Sequence, residues 1–425
     1  MICKNLVILA LSLALGTITA CRQSNNEANS EGITQRTIKI GSVLALEGQE
    51  EALGNGMKAG LEAALNGEVV QGKRIELIFE NDFYDPPVSE VRTKKLVEDG
   101  VFLMIGNVGT PTAKKTLPIL LEHKIPAVGF FTGADLLRSP PYSEVAINYR
   151  ASYVQEIATV VEWALAAGVQ VNQICAYVQN DSYGRAGLEG LKQALLDEGV
   201  TKEKLTHFNE RESSANSDSN IQSNDLRPVG FYTRNTPDVI QGYNSLKQWE
   251  EKTGTSCKLV VTAGTYSNIA RFAKHAKDSG EDWVISSLSF TGAEQLELDL
   301  EEYGVTDKVI MTQVVPFSKD NLPIVKEFKK LCKNPQDNLS KNCGYVALEG
   351  YIVGKMLVEI LKKMQVEINR DSFIKQVSDS NFDFDGVTID FTQNSKQASD
   401  FVEVTSLNDG KFTPIKQNKF AAMLK

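Results

Sequence analysis

From Thr37 onward, short apolar runs alternate with amphipathic stretches along nearly the whole chain. The runs have the length of β-strands, and the stretches between them carry apolar residues three or four positions apart, which is the spacing of a helix face. Alternation of this kind is typical of βα units in a parallel sheet. Because 425 residues would make one doubly wound sheet implausibly large, we predict an α/β protein with two lobes.

The predicted strands are IKIGSVLAL, RIELIFEND, FLMIGN, AVGFFTG, ICAYVQND, LVVTAGT, WVISSLSF and VIMTQVVP. The predicted helices are Met57–Leu65, Val88–Glu98, Ala113–Glu122, Tyr153–Ala166, Leu188–Asp197, Val239–Trp249, Ile269–Lys277, Leu296–Glu302, Ile324–Cys332 and Tyr345–Met364. One polar, low-complexity stretch, Asn209–Asp225, interrupts this alternation, and we interpret it as a surface insertion within the second lobe.

Residues 1–21 read MICKNLVILALSLALGTITAC, with one positive charge at Lys4 and an apolar stretch from Leu6 to Ile18. That stretch is too short for a bilayer core of about 30 Å, which takes about 20 helical residues, so residues 1–20 are predicted to be a signal peptide. Its end, Ile18-Thr19-Ala20-Cys21, resembles a bacterial lipobox, which implies lipid on Cys21; the alternative is an ordinary secretory signal with a chance cysteine. Residues 21–36 are predicted to be a flexible tether. We therefore expect an extracytoplasmic protein held to the membrane by lipid alone.

Four further cysteines would then lie in an oxidising compartment. Cys332 and Cys343 flank a loop rich in Pro, Asn and Ser, which favours a disulfide between them. Cys175 and Cys257 each open an apolar, strand-like run. We expect these two to be buried free thiols, although pairing between them stays open.

The chain carries 45 Lys and Arg against 54 Asp and Glu, a net charge of −9 without any basic block. Nucleic acid and anionic membrane surfaces are therefore not expected as partners. The histidines, His123, His207 and His275, lack neighbours at metal-ligand spacing, so no metal site is expected. The segment Gly67–Lys73 nearly matches a phosphate-binding loop, but Arg74 replaces the required Ser or Thr. Because the sequence carries no catalytic motif, we expect neither an enzyme nor a cofactor.

Polar and aromatic residues follow the predicted strands, at the sheet edge where open α/β folds bind ligands. Gly109-Thr110-Pro111-Thr112 offers amides and a hydroxyl to an anionic group at the start of a helix, although either Thr is also a candidate N-cap. The other strand ends carry Phe131-Thr132-Gly133, Asp181-Ser182-Tyr183-Gly184, Thr265-Tyr266 and Ser289-Phe290. Together these segments predict a cleft for a small molecule.

Across Thr37–Ile415, the order of elements and five segments carry a resemblance to a known family; the segments are IKIGSVLALEGQEEALGNGMKAGLEAA, IELIFENDFYDP, VEDGVFLMIGNVGTPTA, NDSYGRAGLEGLKQAL and YVALEGYIVGKMLVEIL. The resemblance is to the periplasmic solute-binding proteins of branched-chain amino acid ABC transporters, the Leu/Ile/Val-binding type. It implies a type I periplasmic binding fold, with two Rossmann-like, doubly wound lobes joined by three crossovers, which fall near Arg150, Thr312 and Phe384. Lobe 1 is then residues 37–150 plus 313–384, and lobe 2 is residues 151–312 plus 385–425.

The resemblance also implies roles for individual residues. Thr110 falls where the family binds a ligand carboxylate through a hydroxyl, and Phe131 and Gly133 fall on two more carboxylate-binding positions. Tyr183 matches an aromatic contact of the second lobe. Another family tyrosine falls on Thr265, with Tyr266 beside it. The ligand-binding residues that we predict are Thr110, Phe131, Thr132, Gly133, Tyr183, Thr265, Tyr266 and Ser289.

One departure from the family concerns the acidic residue that binds the α-ammonium of an amino acid. Its position falls near Leu288-Ser289, where the chain has no carboxylate. Since a desolvated ammonium without a partner costs several kcal/mol, a carboxylate, an aromatic acid or an amide-like solute fits better than an α-amino acid. The resemblance implies a monomeric binding protein that hands its solute to a membrane ABC permease. The alternative is a sensing module with the same fold.

Overall fold

The computed structural model describes residues 32–208, 227–319, 321–336, 338–384, 386–393 and 397–425. The predicted signal peptide, Cys21, most of the predicted tether and the predicted insertion Asn209–Asp225 lie outside the described residues. Within the described ranges, none of the helices combines the length and the apolar character that crossing a membrane takes.

The first part of the chain folds into a six-stranded sheet with helices packed against it. Its elements are β1 (Thr37–Leu44), α1 (Glu51–Leu65), β2 (Val69–Val70), β3 (Lys73–Asn81), α2 (Pro86–Glu98), β4 (Leu103–Ile105), α3 (Thr110–Glu122), β5 (Ala127–Val128) and β6 (Ala146–Ile147). The order across the sheet is β2-β3-β1-β4-β5-β6, and every neighbouring pair is parallel except β2 with β3.

The next part builds most of a second sheet. Its elements are α4 (Tyr153–Ala166), β7 (Ile174–Gln179), α5 (Ser182–Asp197), β8 (Val229–Tyr232), α6 (Ile240–Thr253), β9 (Leu259–Ala263), α7 (Tyr266–Asp278), β10 (Val284–Ser287), α8 (Ala293–Glu302) and β11 (Val309–Gln313). These strands pair in parallel, with β9 between β7 and β10. Strand order therefore departs from chain order at β8, which lies at the edge beyond β7.

The chain then returns to the first lobe, where its two strands pair only with each other, in a small antiparallel sheet. This segment contains α9 (Pro323–Leu331), α10 (Asn338–Lys341), α11 (Tyr345–Lys363), α12 (Arg370–Ser378), β12 (Asn381–Phe384) and β13 (Val387–Asp390). Helix α11 packs so closely on α1 that a side-chain carbon at Gly60 would lie 2.0 Å from the carbonyl oxygen of Ala347. Glycine at position 60 allows this close approach of the two helices. Their packing holds the returning segment against the first lobe.

The last segment completes the second sheet with β14 (Glu403–Asn408), β15 (Lys411–Pro414) and the helix α13 (Gln417–Met423). The sheet order is β15-β14-β11-β10-β9-β7-β8, with β14 antiparallel to both of its neighbours. Two mainly parallel sheets with helices confirm the predicted α/β class with two lobes.

Over the described residues, the chain passes between the two sheets at 148–152, after β11 and between β13 and β14. The first and last passages run side by side, because the N–H of Ala398 donates to the Asn148 carbonyl and the N–H of Ser399 to that of Tyr149. The limits of the lobes, 37–150 plus 313–384 and 151–312 plus 385–425, stay a prediction.

Most predicted helices lie where the sequence put them, and α4 has the predicted bounds, with a capping box formed by Ser152 and Gln155. Two helices begin about a turn and a half earlier than predicted. Their first turns contain glycines at close approaches: a side-chain carbon at Gly54 would lie 1.9 Å from the Ala45 carbonyl oxygen, and one at Gly184 would lie 1.8 Å from that of Gln179. Because such glycines carry no apolar side chain, they hid the helical periodicity.

Several short strands were missed by the sequence reading, among them β8, β14 and β15. Strand β14 is buried in its middle, but two of its buried residues are Thr405 and Ser406. The Thr405 hydroxyl is satisfied by the Met311 carbonyl at 2.8 Å. Since hydroxyl-bearing residues interrupt the apolar run, the segment lacks the usual signal of a buried strand.

The described residues contain two disulfides, Cys175–Cys257 and Cys332–Cys343. The second is the pair favoured from the sequence. The expectation of free thiols at Cys175 and Cys257 is wrong. Cys175 lies on β7 and Cys257 just before β9, and the two strands are neighbours in the sheet, which brings the sulfurs together.

Candidate functional site

Loops at the carboxyl ends of the strands in the two lobes face each other. Residues after β1, β3 and β5 of the first lobe meet residues after β7, β9 and β10 of the second. In each of these contacts, one residue comes from the first lobe and the other from the second. This is the arrangement expected for a ligand cleft in a two-lobed α/β protein.

A cluster of aromatic rings lies at the centre of this interface. The ring of Phe290, after β10, is centred 5.3 Å from Phe131, 4.6 Å from Tyr183 and 6.2 Å from Tyr84. Tyr153, at the start of α4, is 5.5 Å from Tyr183. All five side chains are buried. The rings are tilted against one another and form an apolar contact region between the two lobes.

Two hydroxyls stand beside the rings. Thr110 opens α3, and its Oγ1 lies 2.7 Å from that of Thr132, in the loop after β5. The N-cap of α3 is Gly109, so neither Thr110 nor Thr112 has the capping role that was an alternative. The Thr112 hydroxyl instead bonds back to the Gly109 carbonyl at 3.0 Å. The Thr110 and Thr132 hydroxyls therefore bond to each other and join the segments that follow β4 and β5.

Two left-handed backbone positions shape the same corner. Gly109 has a φ of 108°, and a side-chain carbon there would lie 2.6 Å from the ring of Tyr84. Tyr84 itself has a φ of 56°, which is costly for an aromatic residue. Its N–H is held by Asp82 Oδ1 at 2.9 Å. Tyr84 was not among the residues predicted from the sequence, since a tyrosine with a left-handed backbone conformation has no recognisable sequence pattern.

Gly133 links this corner to the second lobe. Its carbonyl accepts the N–H of Tyr153 at 2.8 Å, and a side-chain carbon at position 133 would lie 2.6 Å from the Tyr153 ring. A glycine is needed here because the start of α4 packs directly against the loop after β5.

Arg150, on the first passage between the lobes, is the main charged group of the site. Its guanidinium lies 4.4 Å from the centre of the Phe131 ring, and its Nη2 donates to Ser289 Oγ and to Glu349 Oε2, both at 2.9 Å. The side chain is 1% exposed. Among the described residues, its Nε and Nη1 have no hydrogen-bond partner.

The position that lacks the family's acid has a carboxylate nearby from another element. Glu156, on α4, accepts the N–H of Ser289 at 2.8 Å, the Ser289 hydroxyl at 3.0 Å and the Thr312 hydroxyl at 2.6 Å. Burial raises the pKa of this carboxyl, against the lowering effect of Arg150. Glu156 therefore connects α4 to the loop after β10 and to β11, the strand that leads into the second passage between the lobes.

A chain of hydrogen bonds runs along the strand ends of the second lobe. The Thr265 N–H donates to the Tyr232 hydroxyl at 3.0 Å, and that hydroxyl donates to Gln179 Oε1 at 3.1 Å. Gln179 Nε2 donates to Asp181 Oδ2 at 2.7 Å, and Arg234 pairs with the same oxygen at 2.8 Å. The network fixes the second-lobe wall of the cleft.

Thr265 and Tyr266 also contact the first lobe directly. Thr265 Oγ1 donates to Glu50 Oε1 at 2.8 Å, and the Tyr266 hydroxyl donates to the Gln49 carbonyl at 2.6 Å. The structure thus brings the predicted residues to one interface: Thr110, Phe131, Thr132, Gly133, Tyr183, Thr265, Tyr266 and Ser289 are all buried there. Their role in binding stays a prediction. Arg150, Tyr84 and Glu50 were not among the candidates.

A family model described as periplasmic binding protein matches residues 37–213. No curated protein matches the chain. Among solved structures, a possible leucine/isoleucine/valine-binding protein from Rhodopirellula baltica SH 1 is 28% identical, with a TM-score of 0.77 over 92% of this chain and 98% of that chain.

Two more distant structures share the fold. A branched chain amino acid ABC transporter protein from Thermus thermophilus, with bound valine, is 15% identical, with a TM-score of 0.69 over 90% of this chain and 96% of that one. A fatty acid ABC transporter substrate-binding protein from Thermomonospora curvata is 18% identical, with a TM-score of 0.70 over 91% of this chain and 93% of that one.

The chain therefore has the type I periplasmic binding protein fold, and the resemblance to the Leu/Ile/Val-binding type that its sequence predicted is confirmed. Structures that share this fold include proteins of ABC transporters. The family match and the two disulfides indicate an extracytoplasmic location.

Proposed function

We propose that the protein is the solute-binding component of an ABC importer, which captures a small molecule between its two lobes and presents it to a membrane permease. The observation that carries this proposal is the convergence of buried aromatic and polar side chains from both lobes, with Phe131 and Phe290 at 5.3 Å. A molecule held by both walls binds the closed form better than the open form, so it shifts the population towards closure.

The chemistry of the site supports a solute with an anionic or carbonyl end and an apolar body. Thr110, Thr132 and the unpartnered nitrogens of Arg150 supply donors for such an end. The aromatic cluster supplies apolar surface. Ser289 occupies the family's acid position, and the oxygens of Glu156 are already engaged. We therefore propose a carboxylate, an aromatic acid or an amide-like compound without a free α-ammonium.

Mass spectrometry of ligand carried through native purification is the first test. A thermal-shift screen follows, comparing leucine, valine and phenylalanine with their deaminated acids. We expect the deaminated acids to raise the melting temperature and the amino acids to leave it unchanged. Micromolar binding of leucine would show that another acid, such as Glu47, Asp82 or Glu294, holds the ammonium, and the proposed solute class would be wrong.

Closure is tested by small-angle X-ray scattering with and without a stabilising solute. The proposal predicts a smaller radius of gyration in the bound state. Clear binding at an unchanged radius would indicate a rigid pocket and would contradict capture by closure.

We further propose that lipid on Cys21 holds the mature protein at the membrane surface. The lipobox-like sequence Ile18-Thr19-Ala20-Cys21 supports this anchor. Cys21→Ala is expected to abolish lipid labelling, and to release the protein or leave an uncut precursor. Lipid incorporation that persists in this variant would reject the anchor.

A further inference from the structure

Glu50, in the loop that leads into α1, reaches from the first lobe to the second. Its Oε1 accepts hydrogen bonds from the hydroxyls of Thr265 at 2.8 Å and Ser267 at 3.1 Å. Thr265 is the N-cap of α7, so the carboxyl lies at the N-terminus of a helix in the opposite lobe. Glu50 is 2% exposed, and its Oε2 has no hydrogen-bond partner among the described residues.

Glu294, in the first turn of α8, makes the converse contact. It reaches from the second lobe to the N-terminus of α11, where its Oε1 accepts the N–H of Tyr345 at 2.5 Å. Gly344 is the N-cap of α11, and a side-chain carbon there would lie 2.0 Å from the Glu294 carboxyl group. Helix α11 packs on α1, so this contact also joins the two lobes.

We propose that Glu50 and Glu294 form two proton-dependent contacts between the lobes, here called latches, which make closure respond to pH: the ionised carboxyls oppose closure and the protonated carboxyls allow it. Each carboxyl crosses from its own lobe to the helix N-terminus of the other. Both contacts are broken when the lobes separate, so both belong to the closed form alone. The inference goes beyond solute capture, because it concerns the open–closed equilibrium of the protein without any solute.

The surroundings of Glu50 support a proton-dependent latch. Burial raises the pKa of this carboxyl from 4.5 to about 7, while the Thr265 and Ser267 hydroxyls oppose the rise. The charged groups that face it are Asp299, which adds to the rise, and Arg271, which opposes it. The closed form therefore desolvates the carboxylate more than its hydrogen bonds compensate.

The surroundings of Glu294 act in the same direction. Burial raises the pKa of its carboxyl to about 7, and Glu297 on the same helix adds to the rise. The N–H groups of Tyr345 and Val346 oppose it. Lys411, on β15, also interacts with this carboxyl. Because Glu294 is only part-buried, its contribution is smaller than that of Glu50.

The direction of the pH effect follows from where protons bind. In the open form both carboxyls are hydrated and keep an ordinary pKa, so the closed form binds more protons between that value and about 7. Closure is therefore favoured as pH falls through this window and is lost as pH rises through about 7. Between about pH 8 and about pH 6, Glu50 alone shifts the closed-to-open ratio by about tenfold, and Glu294 adds a smaller factor.

Small-angle scattering of the solute-free protein tests the latches. We expect the radius of gyration of the wild type to fall as pH is lowered from about 8 to about 6. Glu50→Gln and Glu294→Gln keep the shape and an accepting oxygen but lose the titration, so each should reduce the response. The double variant should have the same radius at both pH values, and its closed population at the higher pH should exceed that of the wild type.

Glu250→Gln is the matched control. Glu250 is a buried carboxylate whose Oε1 accepts the Cys257 N–H and the Trp283 indole N–H, all within the second lobe. This variant should keep the full response. A wild-type radius that does not change, or a double variant that still responds, would overturn the latches. If the double variant fails to fold, the two single variants carry the same test. No solute is used, so the outcome is independent of whether the proposed solute class is right.

Discussion

Arg150 and Glu349 form an ion pair of 2.9 Å in which the two side chains are 1% and 2% exposed. Arg150 lies on the first passage between the lobes and Glu349 on α11, while the same guanidinium nitrogen also donates to Ser289 of the second lobe. The pair therefore fastens the hinge to both lobes directly behind the ring of Phe131.

Removing one partner of this pair leaves an uncompensated buried charge. We expect Glu349→Ala to lower the free energy of unfolding by about 3–5 kcal/mol in denaturant titrations. The control is Glu62→Ala, because Glu62 pairs with Lys58 at 3.9 Å with side chains 29% and 30% exposed. That variant should lose less than about 1 kcal/mol. Similar losses in both variants would contradict a special role for the buried pair.

The Thr110 hydroxyl is expected to contribute to solute binding without being essential to the fold. Thr110→Val keeps the shape but removes the group 2.7 Å from Thr132 Oγ1, and it should weaken binding by about 1–3 kcal/mol in calorimetry. Thr116→Val is the control, since Thr116 is buried on the same helix and bonds only to the Ala113 carbonyl. Equal affinity losses in the two variants would place the effect in the helix and not at the ligand.

The two disulfides close loops of very different length. Cys175 and Cys257 are 82 positions apart, and Cys332 and Cys343 are 11 apart. By the loss of chain entropy in the unfolded state, the longer loop contributes about 4.5 kcal/mol of stability and the shorter about 3 kcal/mol. We therefore expect the Cys175→Ala/Cys257→Ala protein to be the less stable of the two double variants in denaturant unfolding. The reverse order would show that the reduced chain keeps structure around β7 and β9.

The fold was predictable because each strand–helix unit leaves a local pattern, as the predicted bounds of α4 show. Contacts between segments that are far apart in the sequence could not be predicted in this way. Cys175 and Cys257 meet because β9 lies beside β7, on the side opposite β8, and strand order in a parallel sheet is not written in the order of the chain. A short strand with buried hydroxyls, such as Thr405 in β14, was missed for a local reason, since its apolar run is broken.

The same distinction applies to the candidate site. Thr110, Phe131 and Tyr183 follow strands directly, so the common edge of a parallel sheet predicts their position. Arg150 and Glu50 belong to no motif, and their importance arises from partners that are far away in sequence, Glu349 and Thr265. Long-range partners of a buried charge can be found only once the lobes are placed against each other.

Gly344 gives a test of closure that does not alter any charged group. Its backbone is extended, with a φ of 173°, so an alanine is tolerated in the open form. In the closed form the new methyl group would lie 2.0 Å from the Glu294 carboxyl, which must leave the N-terminus of α11 or hold the lobes apart. We expect Gly344→Ala to keep its free energy of unfolding within about 1 kcal/mol while the closed population falls severalfold in small-angle scattering.

Two further variants make this prediction specific. Adding Glu294→Ala to Gly344→Ala removes the colliding carboxyl and should allow the lobes to approach again, although the pH response of that latch is lost. Lys341→Ala, at an exposed position three residues earlier, should leave closure unchanged. If Gly344→Ala closes as readily as the wild type, the Glu294 carboxyl does not lie at the N-terminus of α11 in the closed form.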